Sequence, residues 1–172
     1  LPNANAGTAD ELTCNVLEVS LDGSNSDQGA TITYTWTTTD GNIVSGNNTL
    51  NPTVNQPGTY ILTVSNSANN CTSSSSILVD ENVTPPNADA GPEQELTCST
   101  TFLSLSGLNS STGPDFSYEW TAVANGNIVG GGNTLSPVID ASGIYEIMVT
   151  NNITGCTSTD QVEVTQSTDV PN

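Results

Sequence analysis

Hydrophobic and polar residues alternate along this chain in short runs with a period of two. Val19 and Leu21 flank Ser20. Ile32, Tyr34 and Trp36 share one side of the next run, then come Tyr60, Leu62 and Val64, and finally Ile77 and Val79. A period of two puts successive side chains on opposite faces of an extended strand, so each run predicts a half-buried β-strand. Asp22-Gly23, Asp40-Gly41-Asn42, Pro57-Gly58 and Asn69-Asn70 separate the runs, and these are turn formers. No stretch carries an apolar stripe at helical spacing. Thr and Val are abundant, and β-branching favours strands.

Every run occurs twice. Pro2-Asn3-Ala4-Asn5-Ala6-Gly7 returns as Pro86-Asn87-Ala88-Asp89-Ala90-Gly91, 84 positions later. Glu11-Leu12-Thr13-Cys14 returns as Glu95-Leu96-Thr97-Cys98, and Tyr34-Thr35-Trp36 as Tyr118-Glu119-Trp120. An inserted residue near Val123 moves the offset to 85, which then aligns Gly41-Asn42-Ile43-Val44 with Gly126-Asn127-Ile128-Val129. Gly58-Thr59-Tyr60 matches Gly143-Ile144-Tyr145, and Cys71-Thr72-Ser73 matches Cys156-Thr157-Ser158. The chain therefore reads as two tandem units, residues 1–84 and 85–169. Pro171-Asn172 aligns with Pro86-Asn87, so residues 170–172 read as the start of a third repeat in a longer array. The alternative is a two-unit protein that ends there. Pro85 and Pro86 predict an extended, stiff junction.

Short strands at this spacing predict an all-β chain of two small β-sandwiches. Trp36 and Trp120 are the expected core anchors. Tyr60 and Tyr145 stand where a tyrosine follows a corner into its strand. A unit this small buries a modest share of its surface and calls for extra fastening. Cys14, Cys71, Cys98 and Cys156 fall two per repeat at equivalent positions. Repeat symmetry then pairs Cys14 with Cys71 and Cys98 with Cys156, one disulfide in each unit. Such a bond would contribute about 4 kcal/mol in the chain-entropy account and implies an oxidising compartment. The rival pairing, Cys71 with Cys98, leaves Cys14 and Cys156 for each other or for neighbours. An antibody-type bond joins strands B and F, whereas Cys14 precedes the Val19–Leu21 run and Cys71 follows the Tyr60–Val64 run, so the bond does not hold the antibody position. Zinc is a weak reading, with two thiols per unit and no histidine.

Charge removes whole classes of function. The 172 residues include no Lys, Arg or His against 18 Asp and Glu, a formal charge of -18. Cationic contacts to nucleic-acid phosphates are excluded, as is attraction to an anionic membrane surface. The groups that carry most acyl, phosphoryl and Schiff-base chemistry are absent, and the chain reads as no enzyme. Only 10% of residues are charged, and the strand periodicity argues against disorder. No apolar run is long enough to span a bilayer, and Leu1 to Gly7 do not form a signal peptide.

The sequence resembles the PKD-like and immunoglobulin-like tandem repeats of large secreted or surface proteins of the Bacteroidetes group. The residues that carry the likeness are Asn87-Ala88-Asp89-Ala90-Gly91-Pro92, Leu103-Ser104-Leu105-Ser106-Gly107, Tyr118-Glu119-Trp120 and Gly143-Ile144-Tyr145. The first unit adds Leu21-Asp22-Gly23 and Tyr34-Thr35-Trp36. The resemblance implies two tandem immunoglobulin-like β-sandwich domains serving as spacers in adhesins, cell-surface cargo or extracellular fibres. Where strict PKD repeats carry Trp-Asp-Phe-Gly-Asp-Gly, this chain has Trp36-Thr37-Thr38-Thr39-Asp40-Gly41, so a neighbouring immunoglobulin-like family fits better.

Asp80, Glu81, Asp89 and Glu93 gather near the junction, with Glu95 close by and Asp10 and Glu11 before the first unit. Carboxylates are calcium ligands, and an ion there would relieve repulsion. The competing reading is a solvated acidic surface that keeps the array soluble. A glycosidase carboxylate pair is disfavoured because the acids are not duplicated consistently between the units. Trp36 and Trp120 could stack on sugar, but their alternation with Tyr34 and Tyr118 fits core packing better. Glycosylation sequons begin at Asn47, Asn70, Asn82, Asn109 and Asn152. Edge strands without lysine gatekeepers offer a route to self-assembly by strand addition. The reading is thus a structural repeat of an extracellular fibre, stalk or surface array. Its expected partners are neighbouring repeats and other copies of the protein. The alternative is an adhesin that binds glycan or protein through Gly46-Asn47-Asn48 and Gly130-Gly131-Gly132.

Overall fold

The computed structural model describes residues 1–167. The reading of residues 170–172 as a third repeat lies outside them. The chain divides into two compact units, Leu1–Val83 and Thr84–Asn172. Unit 1 holds β1 (Leu12–Thr13), β2 (Val19–Ser20), β3 (Ile32–Thr38), β4 (Ile43–Ser45), β5 (Thr53–Val54), β6 (Gly58–Asn66), β7 (Cys71–Val79) and β8 (Glu81–Asn82). Unit 2 holds β9 (Gln94–Leu96), β10 (Leu103–Ser104), β11 (Phe116–Ala124), β12 (Ile128–Gly130), β13 (Val138–Ile139), β14 (Gly143–Asn151) and β15 (Thr157–Gln166).

Each unit sets a small sheet against a larger one. In unit 1 the orders are β2-β5-β4 and β3-β6-β7, with β1 paired to β8. In unit 2 they are β10-β13-β12 and β11-β14-β15-β9. The long strands pair antiparallel, Trp36 opposite Leu62 and Trp120 opposite Ile147. The first strand is the exception in both units. β1 runs parallel to β8, Leu12 opposite Glu81, and β9 runs parallel to β15, Leu96 opposite Gln166.

The period-two runs bury one face each. Leu21, Trp36, Val54, Tyr60, Leu62, Val64 and Val79 close the core of unit 1. Leu105, Trp120, Ile139, Tyr145, Ile147, Val149, Val162 and Val164 do so in unit 2. The two large aromatics of each core bring polar atoms inside, and each finds a partner. Trp36 Nε1 donates to the Thr49 carbonyl and Trp120 Nε1 to the Thr134 carbonyl, both at 3.0 Å. The Tyr60 hydroxyl donates to the Gln56 carbonyl at 2.7 Å and accepts the Asn42 N–H at 2.9 Å. Tyr145 repeats this with Ala141 and Asn127. A tyrosine bonded four residues back closes the turn that leads into its own strand. Among the described residues no buried side-chain polar atom lacks a partner.

The recurrent opening motif pins the segment ahead of the first strand. The Ala6 N–H donates to Ser75 Oγ on β7, and the Ala90 N–H to Asp160 Oδ2 on β15. Both alanines are 1% exposed. The following glycines, Gly7 and Gly91, have φ of 68° and 76°, a left-handed conformation that glycine adopts without steric cost. A Cβ on Gly91 would stand 2.5 Å from the Ser106 carbonyl oxygen. The glycine therefore serves both the bend and the close approach.

The expected disulfide in each unit does not form. Cys14 and Cys156 are disulfide-bonded, while Cys71 and Cys98 are free thiols. The parallel first strand is the reason. Cys14 follows Thr13, which lies opposite Asn82, beyond the end of β7. Cys71 opens β7, eleven residues earlier. At about 3.3 Å per residue the two cysteines stand on the order of 30 Å apart, at opposite poles of the sandwich. In unit 2, Cys98 follows Leu96, which is opposite Gln166, whereas Cys156 precedes β15 at its other end. A disulfide requires Cα atoms within about 7 Å. Neither Cys14–Cys71 nor Cys98–Cys156 is available to the fold.

Two outcomes follow for unit 2. A Cβ on Gly126 would stand 2.5 Å from Tyr145 Cζ, so Gly126→Ala must displace the tyrosine from its hydrogen bonds. A loss of roughly 2–3 kcal/mol is expected, the range for strained or orphaned buried groups, read by urea denaturation of the full chain. Burial also holds the Tyr145 hydroxyl above its ordinary value of 10.0, with hydrogen bonds from and to the Asn127 and Ala141 backbone opposing the shift. A raised folded pKa means that the unfolded chain loses its proton first. The stabilisation is complete below the ordinary value and is lost as pH rises through the folded one. Stability should therefore fall on the alkaline side, and less steeply in Tyr145→Phe.

Candidate functional site

The features that distinguish one pole of each unit from the other are the two cysteine-bearing turns. In the turn after the first strand, Thr13 Oγ1 accepts the N–H groups of Asn15 and Val16, and the Thr13 N–H donates to the Val16 carbonyl at 2.9 Å. Cys14 stands at the exposed tip. Unit 2 builds the same turn. Thr97 Oγ1 accepts from Ser99 and Thr100, and the Thr97 N–H donates to the Thr100 carbonyl at 3.1 Å, with Cys98 exposed at the tip. A threonine hydroxyl capping the two N–H groups beyond it fixes such a turn locally. The cysteine is held outward whatever the rest of the unit does.

The second cysteine of each unit lies at the hairpin between the two long strands. Cys71 pairs with Asn66 across the base of a four-residue turn. Asn69 Oδ1 accepts the Cys71 N–H at 3.0 Å, and Asn70 takes the left-handed conformation. In unit 2 the turn between Asn151 and Cys156 also has four residues and uses Gly155, at φ 72°, in place of that asparagine. The Asn151 N–H donates to the Cys156 carbonyl at 2.9 Å. Cys71 is half-buried and Cys156 is buried.

The acidic residues have local structural work. The Asp80 carbonyl accepts the Leu12 N–H at 3.0 Å, and Glu81 lies opposite Leu12 in the parallel pair with its side chain exposed. Asp89 Oδ1 accepts the Gly91 N–H at 2.8 Å, and its own N–H donates to Ser110 Oγ at 3.0 Å. Glu93 is exposed. No three His, Cys, Asp or Glu side chains come together to hold a metal among the described residues. Outside this group, Asp22 accepts from Ser24, which holds its carboxyl below the usual carboxylate value.

The two glycine-rich loops are tied to the strands beside them. The Gly46 carbonyl accepts the Thr49 N–H and hydroxyl, and the Asn47 carbonyl accepts the Trp36 N–H at 2.7 Å. The Gly131 carbonyl likewise accepts from Thr134, and the Gly132 carbonyl accepts the Trp120 N–H at 2.8 Å. Each loop thus covers part of the outer edge of β3 or β11. Trp36 and Trp120 are 2% and 4% exposed, so neither indole face can stack on a sugar. The five sequon asparagines are exposed. The described residues contain no helix long and apolar enough to cross a membrane.

Residues 1–80 match the family model of the PKD domain. Three N-terminal domains of the highly immunogenic outer capsid protein (Hoc) of bacteriophage RB49 share the fold. Identity is 15% and the TM-score 0.52, over 96% of this chain and 59% of that one. Extracellular domains 3–5 of Drosophila OTK align at 11% identity and a TM-score of 0.40, over 98% and 62% of the two chains. Titin domains I67–I69 align at 15% identity and a TM-score of 0.41, over 96% and 66%. The chain spans about three fifths of the length of the first two. No curated protein matches it. Residues 1–80 are thus PKD-like in sequence, and the likeness to the capsid protein is one of fold.

The placement of the cysteines sets a countable outcome. Without reductant, a thiol reagent such as Ellman's should label Cys71 and Cys98 and spare Cys14 and Cys156. Recovery of Cys14 joined to Cys71 would restore the symmetric pairing.

Proposed function

We propose that this chain is a structural repeat of an extracellular fibre, stalk or surface array, of the kind carried by large secreted or surface proteins of the Bacteroidetes group. It acts by holding distance and shape. One observation supports this above others: most of the residues the two units share are those that build the scaffold. The shared residues include the tryptophan with its carbonyl partner, the corner tyrosine with its neighbouring glycine, and the pinned alanine with its bent glycine. Sharing on exposed, unbonded positions would point to a duplicated ligand site. Here even the exposed Asn42 and Asn127 bond their own unit, to Asn55 and Asp140. The acidic coat keeps copies apart at low salt and is screened as salt rises.

An adhesin would need free loops, and the glycine-rich loops are the natural candidates. Their carbonyls are committed to Trp36, Thr49, Trp120 and Thr134. Negative-stain images of the native full-length protein are expected to show filaments or beaded strands. The 172-residue chain is expected to bind nothing on a glycan array. Saturable binding lost on substitution of Asn47 or Asn48 would replace the structural role with the adhesive one.

A further inference from the structure

We propose that Asn125 is a site of spontaneous covalent modification: its side-chain amide closes on the Gly126 nitrogen, and water opens the ring to aspartate or isoaspartate. The inference goes beyond the structural-repeat reading and does not depend on it. Ring closure needs a following residue without a Cβ in the way, a side chain free to turn back, and a backbone N–H not held in a hydrogen bond. The chain has three steps from Asp or Asn to Gly: Asp22-Gly23, Asp40-Gly41 and Asn125-Gly126. The first two are held. The Gly23 N–H donates to the Leu50 carbonyl at 2.8 Å, and the Gly41 N–H to Thr38 Oγ1 at 2.9 Å. Asp40 Oδ1 is itself engaged, accepting the Thr59 N–H at 3.0 Å and the Thr38 hydroxyl at 3.1 Å. The third step is loose. Among the described residues nothing accepts the Gly126 N–H, and the exposed Asn125 side chain makes no hydrogen bond.

The residue inserted in unit 2 explains the difference. Ala122 lies opposite Tyr145 as Thr38 lies opposite Tyr60, so the position whose hydroxyl braces unit 1 has none in unit 2. The register then shifts between Ala122 and Ala124, and Asn125 takes the left-handed conformation at φ 57°. Asn70, at φ 54°, is the other left-handed asparagine among the described residues. There the next N–H, that of Cys71, is held by Asn69 Oδ1, and the cysteine side chain stands in the way.

The atoms balance with water as the second reactant. The Gly126 nitrogen attacks Asn125 Cγ as it loses its proton. A bond forms from Cγ to that nitrogen, the Cγ–Nδ2 bond breaks, and Nδ2 leaves as ammonia with the proton. Water then gives its hydroxyl to one ring carbonyl and its proton to the Gly126 nitrogen as that C–N bond breaks. Opening at Cγ gives aspartate, the residue unit 1 carries at this place as Asp40. Opening at the main-chain carbonyl gives isoaspartate and puts one more carbon into the main chain ahead of Gly126. Gly126 packs on the Tyr145 ring, and the Asn127 N–H beyond it donates to the Tyr145 hydroxyl at 2.9 Å. Aspartate is therefore accommodated, whereas isoaspartate loosens the tyrosine corner of unit 2.

The test keeps the folded full chain in warm, mildly alkaline buffer and maps its peptides by mass over time. Amide-to-acid conversion should appear first at Asn125, severalfold faster than at any other asparagine. Both products should form, the isoaspartate recognised by an isoaspartate-specific carboxyl methyltransferase, and Asn125→Gln should abolish both. Conversion confined to urea-unfolded chain, another asparagine reacting first, or aspartate without isoaspartate would overturn the inference. The isoaspartate form should unfold at lower urea concentration than the unaltered chain, while Asn125→Asp should unfold with it. Equal midpoints for all three would overturn the effect on the corner. None of these readouts bears on glycan binding or on native filaments, so the structural role stands or falls separately.

Discussion

The parallel pairing of the first strand with the last decides where everything else in a unit lies. Hairpin neighbours in a sandwich alternate direction, so the ends of successive strands alternate between poles. A first strand that pairs parallel to the last one ends at the pole where the last one ends. The turn after β1 or β9 is thereby placed opposite the hairpin that opens β7 or β15. The pairing itself is short, two residues in unit 1 and three in unit 2. It holds because the segment ahead of it is anchored first, by the buried alanine bonded to Ser75 or Asp160. The glycine after that alanine then turns the chain into the strand. The recurrent opening motif is the device that sets this direction.

Cohesion has to come from burial and neutral hydrogen bonds, since no basic side chain offsets 18 carboxylates. Each core uses one tryptophan and one tyrosine, and both send their polar atom to a backbone carbonyl. The arrangement carries large apolar area inside without an orphaned donor, and an orphaned buried donor costs as much as several good contacts return. Around the cores, asparagine, aspartate, serine and threonine side chains close turns on their own backbone, as at Asn5, Asp89, Thr13 and Thr97. The acidic residues can then stay at the surface, where water and counterions solvate them.

Much of this was legible from the order of residues. The period-two runs mark β3, β6, β7 and their counterparts, and the double occurrence of each run marks the two units. Trp36 and Trp120 are recognisable because they alternate with tyrosines on strands that have one apolar face. The disulfide was not legible, and the reason is specific. Repeat symmetry says which cysteines are equivalent, and says nothing about which pole each occupies. That depends on whether a two-residue strand pairs parallel or antiparallel, and two residues carry no periodicity. The surroundings of the acidic residues were hidden for a related reason. Residues adjacent in sequence, such as Asp80 and Glu81, place their side chains on alternate faces, and Asp89 is committed to a backbone turn. The tethering of the glycine-rich loops was equally hidden, because it runs through carbonyls that every residue has.

A unit with its cysteines at opposite poles behaves differently under load from one stapled across its middle. In unit 1 the path from Cys71 to Cys14 follows β7 into β8 and crosses to β1 through the parallel ladder. Tension along that path lies along the strands, so the ladder's hydrogen bonds are loaded together in shear rather than one after another. The ladder is backed by the Leu12 side chain, 4% exposed in the core, and by the Leu12 N–H bond to Asp80. Pulling β1 away must therefore drag Leu12 out of an apolar core as well as break backbone bonds, and both costs fall at the same displacement. A disulfide within the unit would have shielded the core from load. With its cysteines at the poles, a unit carries that load through its own packing.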